Sequence, residues 1–429
     1  MSVIVIATGN LTGPGGSETY VMTVAEHLVR LGHSVTLLAR RVGAVAEAAE
    51  ALGIPVEQDP DRLPATVDAV LVLDREFALA LGSRYPTAAR VFIMHNVDDA
   101  YLPPPVPGCI HVTVALNERH AARARATTGA GTVVRLHQPI DMLRFSPRQP
   151  IAATPRRVAW LGNYGGFPGA HRERLREAWG EELEWVDIGG PQTTMDVPAA
   201  LAQVDVVVGY GRSILEAMAC GRAAYVFEHV GSAGWVTTTN FADMERDGFA
   251  GVAVRGPADV AQLRADLADY SSDLGWQARE LVRRHHDARE HVTELMAVLD
   301  GIAPQPRRAD VQQLEALSSM ARLNLLLSEI AKRRMVEARL LAQNAAELGR
   351  AAGEATLREA DLRRQVAEAA ARIEDLEAES SARAAERADL ERDRAQLAAA
   401  IEEIHASRRY RIAATLAAPL DLLRRIRAR

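Results

Sequence analysis

The sequence predicts two successive doubly wound α/β domains followed by a long α-helical coiled coil. Three features of the 429 residues carry that reading. Short β-branched runs alternate with amphipathic segments from the start to about residue 140, and strands linked through helices pair in parallel because a parallel pair needs a crossover. A proline-containing stretch, Pro139–Pro155, interrupts the alternation, which then resumes. Beyond Pro304-Gln305-Pro306 the composition turns to Ala, Glu, Arg and Leu, with no proline from Asp310 to about Arg408 and only Gly349 and Gly353 as glycines.

In the first domain, residues 1–145, strands are expected at Val3–Ala7, Ser34–Ala39, Ala69–Leu73, Arg90–Met94, His111–Leu116 and Thr132–His137. A helix is expected over Ser17–Leu31. Val21, Val24, Ala25, Leu28 and Leu31 share one face, Ser17 is placed to cap the helix and Gly32 to stop it. Pro139–Pro155 reads as the linker. The second domain, residues 150–303, has expected strands at Arg157–Leu161, Leu183–Ile188, Asp205–Val208 and Ala223–Phe227. Its helices are expected at about Pro168–Trp179, Arg212–Cys220, Asp259–Tyr270 and Trp276–Leu299. Two such domains in series put a cleft at the carboxyl ends of both sheets.

The coiled-coil segment is expected over residues 310–408. Leu362, Val366, Ala369, Ile373 and Leu376 step by four and three, the phase passes through polar Ser380, Arg383 and Arg387, and it resumes at Leu390, Leu397, Ile401 and Ile404. A coil between two copies and an intramolecular helical hairpin both satisfy this pattern. The tail, residues 409–429, is basic and amphipathic. With Arg408 it carries Arg409, Arg411, Arg424, Arg425, Arg427 and Arg429 against Asp421, beside an apolar stripe of Ile412, Leu416, Leu420 and Leu423. It reads either as a short helix on an anionic membrane surface or as a coil terminus with solvated arginines.

Composition removes several classes. Lys332 is the sole lysine, so the abundance of arginine reflects codon usage, and the net charge of -6 argues against nucleic acid as a partner. Cys109 and Cys220 have no metal-ligand or disulfide spacing and read as buried thiols in a reducing compartment. The apolar start, Met1–Ala7, lacks a positive leader and runs into a glycine-rich segment, so it reads as a strand. No apolar run is long enough to span a bilayer.

Two segments carry chemistry. Thr8-Gly9-Asn10-Leu11-Thr12-Gly13-Pro14-Gly15-Gly16-Ser17-Glu18 follows a strand and opens a helix, where glycines let backbone N–H groups approach an anion. The spacing is neither the dinucleotide fingerprint nor a P-loop. Equally, such glycines can serve a tight turn. In the second segment an apolar strand runs through Gly209-Tyr210-Gly211 into the helix Arg212-Ser213-Ile214-Leu215-Glu216-Ala217-Met218-Ala219-Cys220, which Gly221 ends. A carboxylate among apolar neighbours needs hydrogen-bond donors. A ribose diol supplies two, with Arg212 and the helix amides at the phosphates; a local Glu216–arginine pair is the alternative.

Together these residues resemble a known family. Gly-Gly-x-Glu at the first helix, Leu31-Gly32-His33-Ser34-Val35-Thr36, Pro139-Ile140-Asp141 with Phe145 and Pro147, and Glu216-Ala217-Met218-Ala219-Cys220-Gly221 are similar to family 4 glycosyltransferases. Over about residues 1–300 the resemblance implies the GT-B fold, two Rossmann-like domains, with the coiled coil as an addition. It implies that Glu216 holds the nucleotide ribose, that Gly15 and Gly16 lie by the donor diphosphate, and that His95 faces the donor sugar. Gly211, Arg212 and Ser213, with Asn163 and Tyr164 early in the second domain, fall on the donor side. The sequence departs from the family at Val208, where a second glutamate is usual, and around Asn163-Tyr164, where an arginine and a lysine are usual.

The expected activity is transfer of a hexose from a nucleoside-diphosphate sugar to a glycan or lipid-linked acceptor; the resemblance implies a retaining reaction independent of metal or other cofactor. A non-catalytic scaffold working through its coil and a sugar-nucleotide epimerase are the alternatives on the same fold. The expected setting is cytoplasmic, as a homo-oligomer through the coil, with the tail's membrane reading placing it at the inner face of the plasma membrane.

Overall fold

The computed structural model describes residues 1–97, 101–104, 106, 108–162, 169–180, 182–189, 194–228, 231–251, 259–303 and 311–407. The basic tail after Ser407 therefore lies outside the described residues, as do Asn163 and Tyr164. The chain divides into two compact units, Met1–Arg334 and Met335–Arg429.

The first unit holds two sheets. Strands β1 (Val3–Leu11), β2 (Ser34–Val42), β3 (Val56–Glu57), β4 (Ala69–Val72), β5 (Ala89–Met94), β6 (Val112–Ala115) and β7 (Thr132–Arg135) form a seven-stranded sheet in the order β3-β2-β1-β4-β5-β6-β7. Every pairing in it is parallel. The crossovers include helices α1 (Gly16–Arg30), α2 (Ala44–Ala51), α3 (Arg75–Arg84) and α4 (Glu118–Arg125). Alternation along β1 explains the layering: Ile4 and Ile6 pack with Val21, Val24 and Leu28 of α1, whereas Val5 and Ala7 pack with Phe77, Phe92 and Met94 on the opposite face.

The second sheet contains β8 (Arg157–Leu161), β9 (Glu184–Ile188), β10 (Val206–Gly209), β11 (Ala223–Glu228) and β12 (Gly231–Trp235), in the order β12-β11-β10-β8-β9. Strand β12, absent from the sequence expectations, runs antiparallel to β11 at the edge. Its glycines and short length give no alternating signal. The helices are α5 (Gly169–Trp179), α6 (Val197–Leu201), α7 (Arg212–Ala219), α8 (Phe241–Arg246), α9 (Val260–Ala268), α10 (Asp273–His285) and α11 (Ala288–Asp300). Trp160, Trp179, Tyr225 and Trp235 fill one face of this sheet.

Several expectations are corrected. Strand β1 continues through Gly9 and Asn10 to Leu11, paired with β2, so the glycine-rich loop begins at Thr12. Ser17 is not the cap of α1: Gly15 is, without a side-chain bond. The single helix expected over Trp276–Leu299 is two, because Asp287 caps α11 and Ile140 bridges to Asp287 between them. That break sends α11 back to the first sheet, where Val292, Leu295 and Leu299 join its core. The proline-containing stretch is packed, with Ile140 and Phe145 in the second core.

Helix α12, Val311–Ala406, is continuous, which removes the intramolecular hairpin as a description of this segment. In the first unit Leu317 of this helix packs near Leu79 and Cys109. In the second unit Leu362, Val366, Ile373, Leu376, Leu390, Leu397, Ile401 and Ile404 are each more than half exposed. Pairs such as Glu359–Arg363 and Glu379–Arg383 support the helix along its polar face. Both cysteines are free and buried. Among the described residues no helix is long and apolar enough to cross a membrane.

Candidate functional site

A cleft of about 720 Å³ opens at the carboxyl ends of both sheets. Residues following β1, β5 and β6 line one wall, and residues following β8, β9 and β10 line the other. Gly15, Gly16, His95, Gly211, Arg212, Ser213 and Glu216 all line it. The sequence-predicted site residues within the described chain are thus brought together, although they come from opposite ends of a stretch of some two hundred residues.

The two glycines of the first loop differ in what they answer to. Gly15 has extended backbone, and a Cβ there would run into Glu18 Oε2. Glu18 is buried, with Oε1 accepting from Asn10 Nδ2 (2.9 Å) and Oε2 from the Ser17 hydroxyl (2.9 Å). Gly15 is therefore explained by its own helix. A Cβ on Gly16 would meet nothing within 4 Å, and Gly16 has no left-handed φ, so neither packing nor backbone requires glycine there. An open backbone at the first turn of a fifteen-residue helix is the arrangement that lets an anion approach the amides.

The turn between β10 and α7 requires both of its glycines. A Cβ on Gly209 would sit 2.9 Å from Leu161 O, and Gly211 has φ 63°. The Gly211 amide donates to Phe249 O at 2.9 Å. Phe249 is itself left-handed, at φ 56°, and follows Gly248, where any side chain would collide with Asn117. A buried aromatic residue in that conformation costs about 1–2 kcal/mol. It brings Asp247-Gly248-Phe249 against the start of α7, and these three residues line the cleft.

Arg212 and Glu216 form a buried pair, Nε to Oε1 at 2.8 Å. Arg212 also donates to Pro139 O (2.8 Å) and Thr23 Oγ1 (3.4 Å), so it ties α7 to α1 and to the crossing segment. Burial raises the Glu216 pKa against the pull of Arg212, and burial lowers that of Arg212 against the pull of Glu216. The local-arginine alternative is what the chain adopts, but it engages one carboxylate oxygen only. Val208 lies elsewhere: it is fully buried in the core with Trp160 and Tyr225, facing away from the cleft. Arg157 pairs with Glu184, and neither it nor Arg156 lines the cleft.

His95, at the end of β5, has an Nδ1 that is buried with no hydrogen-bond partner, and its ring lies edge-on to Tyr101, 5.5 Å between centroids. The sequence reading missed several neighbours, among them Arg119, His120, Arg144, Asn117, Glu245 and His286. Asn117 caps α4, with its Oδ1 accepting from the His120 amide at 2.7 Å. The Asn–Glu start of α4 is a visible capping signal; the others carry none. Burial, and then the neighbouring His95 and Arg119, lower the His120 pKa to about 4. A histidine kept neutral in the fold binds fewer protons than the unfolded chain from about 6.5 down to about 4, so stability falls as pH drops through that window. Thermal unfolding of His120→Asn should show a shallower loss between pH 7 and 4 than the parent protein. Parallel pH profiles would sink the assignment.

No protein-family model matches the sequence, and no curated protein matches it. Among solved structures, the chain is similar to HepE of Anabaena crystallised with UDP, at 13% identity and a TM-score of 0.52, over 70% of this chain and 100% of that one. The chain has a GT-B fold. HepE in complex with UDP and glucose gives a TM-score of 0.50 at the same identity and coverage. WaaG, a glycosyltransferase involved in lipopolysaccharide biosynthesis, gives 0.48 at 13% identity, over 70% of this chain and 100% of that one. The GT-B body accounts for the two sheets and the cleft, and helix α12 is additional to it.

Proposed function

We propose that this GT-B protein is a glycosyltransferase that takes a hexose from a nucleoside-diphosphate sugar and passes it to a glycan or lipid-linked acceptor. The observation that carries the reading is the convergence of two helix starts, at Gly16 and at Arg212–Ser213, with Glu216 in one cleft. Glu216 gives Oε1 to Arg212 and has Oε2 for a ribose hydroxyl. The helix starts offer N–H groups and partial positive charge to the diphosphate. Arg144, which lines the cleft, adds a cation near Glu216 and Arg212.

In the proposed reaction the bond from the sugar's anomeric carbon to the diphosphate breaks and a bond to the acceptor oxygen forms on the same face. The acceptor's proton passes to the departing phosphate oxygen, so no protein base and no catalytic metal are needed. The chain's part is positioning and stabilisation of the leaving charge. His95 is placed beside the sugar, with Gly15 and the early second-domain residues Asn163 and Tyr164 on the donor side. The exposed apolar stripe of α12 pairs with a second copy, and the basic tail rests on an anionic membrane, giving a cytoplasmic, peripheral enzyme.

The test is product analysis with UDP-, GDP- and dTDP-hexoses and a polyprenyl-phosphate sugar acceptor. Transfer releases the nucleoside diphosphate and lengthens the acceptor. Conversion of the nucleotide sugar without acceptor identifies an epimerase instead, and no turnover of any donor by a folded protein contradicts the enzyme reading.

A further inference from the structure

Where the chain crosses twice between its two sheets lies a cluster that the transferase reading does not use, although two of its members, Glu245 and His286, line the cleft. The Ile140 amide donates to His286 O (2.7 Å) and the Ala288 amide to Ile140 O (3.0 Å), so the two crossings are joined. Next to this joint, His137, Glu245 and His286 each bring one ligating atom within 4.8 Å of the others. His137 follows β7, Glu245 belongs to α8, and His286 separates α10 from α11.

His286 is the decisive residue. It is 2% exposed, and its Nδ1 lies 2.8 Å from Gln138 O. A carbonyl only accepts, so Nδ1 carries the proton and Nε2 presents a bare lone pair. That Nε2 is buried with no hydrogen-bond partner. The ring is walled by Phe241 and Phe249, which offer no donor. A buried acceptor without a donor is unfavourable, and a histidine whose other nitrogen is fixed by a carbonyl is the usual form of a metal ligand. The remaining two groups match. Glu245 is buried, and its carboxylate accepts from Arg135 and from His137. Arg135 orients one oxygen, and the other meets His137 Nδ1 at 3.0 Å.

We propose that His137, Glu245 and His286 bind a zinc-class divalent cation that pins the two crossings and α8 together. Two imidazoles and a carboxylate are a donor set suited to zinc, with water at the fourth position on the cleft side. Bonds of about 2.0–2.2 Å place tetrahedral ligand atoms about 3.4 Å apart, so a closure of about 1 Å seats the ion. When it enters, His137, whose Nδ1 donates to Glu245 in the empty site, moves to the tautomer protonated on Nε2 and gives the Nδ1 lone pair to the metal. This inference is independent of the transferase reading and concerns the joint, not the leaving group.

The experiment uses the full chain without a histidine tag, stripped with EDTA and titrated with zinc sulfate by calorimetry and thermal unfolding. One zinc per chain and a raised unfolding temperature are expected. His286→Gln and the more exposed His137→Gln, each shown folded by circular dichroism, should weaken binding by about 100-fold or more, since even supporting residues contribute about 10–100-fold. His405→Gln should bind as the parent does. Absence of saturable zinc binding overturns the proposal. So does equal binding by the parent and both ligand variants, which would mean adventitious capture by surface histidines.

Discussion

Glu216→Ala is expected to abolish nucleotide binding and also to weaken the fold. The residue is buried and paired with Arg212, which in turn holds Pro139 O and Thr23. Removing one member of a buried ion pair leaves the other charge uncompensated, at a cost of about 3–5 kcal/mol. Loss of binding by this variant alone is therefore ambiguous. Glu216→Gln separates the two effects, because the amide oxygen still accepts from Arg212 while the negative charge is gone. Hydrogen bonds to a charged group contribute about 1.5–3 kcal/mol, so the glutamine variant should remain folded and bind nucleotide about 10- to 100-fold more weakly. Calorimetry and thermal unfolding on the same samples check both halves. Undiminished affinity in a folded Glu216→Gln would remove the ribose assignment and leave Glu216 as a partner for Arg212.

A second large effect is expected in helix α12. Its apolar positions are exposed along the second unit, and a helix of 96 residues with apolar seams on either side of the polar step at Ser380, Arg383 and Arg387 gains stability by pairing with another. Replacing Ile373, Leu376, Leu397 and Ile401 with glutamate in the full chain should convert a dimer to a monomer in multi-angle light scattering. The cleft residues are untouched, so nucleotide affinity should be preserved. A parent protein that is already monomeric at micromolar concentration, or a variant that keeps the parent's mass, would contradict pairing through this seam.

Much of the architecture is legible in the sequence because it rests on local periodicity. The β-branched runs and the Val21, Val24 and Leu28 stripe mark parallel strands and their crossover helix. The Glu216 motif is legible too, since an i,i+4 arginine–glutamate pair in an apolar helix declares itself. What is not legible depends on distant contacts. The break at His286-Asp287 lies in a run whose helical pattern continues across it, and it exists because Ile140 bridges there. The His137, Glu245 and His286 cluster comes from three separate segments, and none of the three sits in a motif. Phe249 gives no sequence sign of its left-handed backbone apart from the Asp247-Gly248 turn before it. The reading of Ser17 as a cap failed locally: Gly15 caps the helix two residues earlier, and Ser17 is left to bind Glu18.

The cleft lined by Gly16, Gly211, Arg212 and Glu216 is expected to hold a nucleoside diphosphate. Its most direct test is calorimetric titration of UDP, GDP and dTDP into the intact protein. Saturable binding of one of the three, at one site per chain, is the expected result. A folded protein that binds none of them would contradict it and make helix α12, not the cleft, the working part of the molecule.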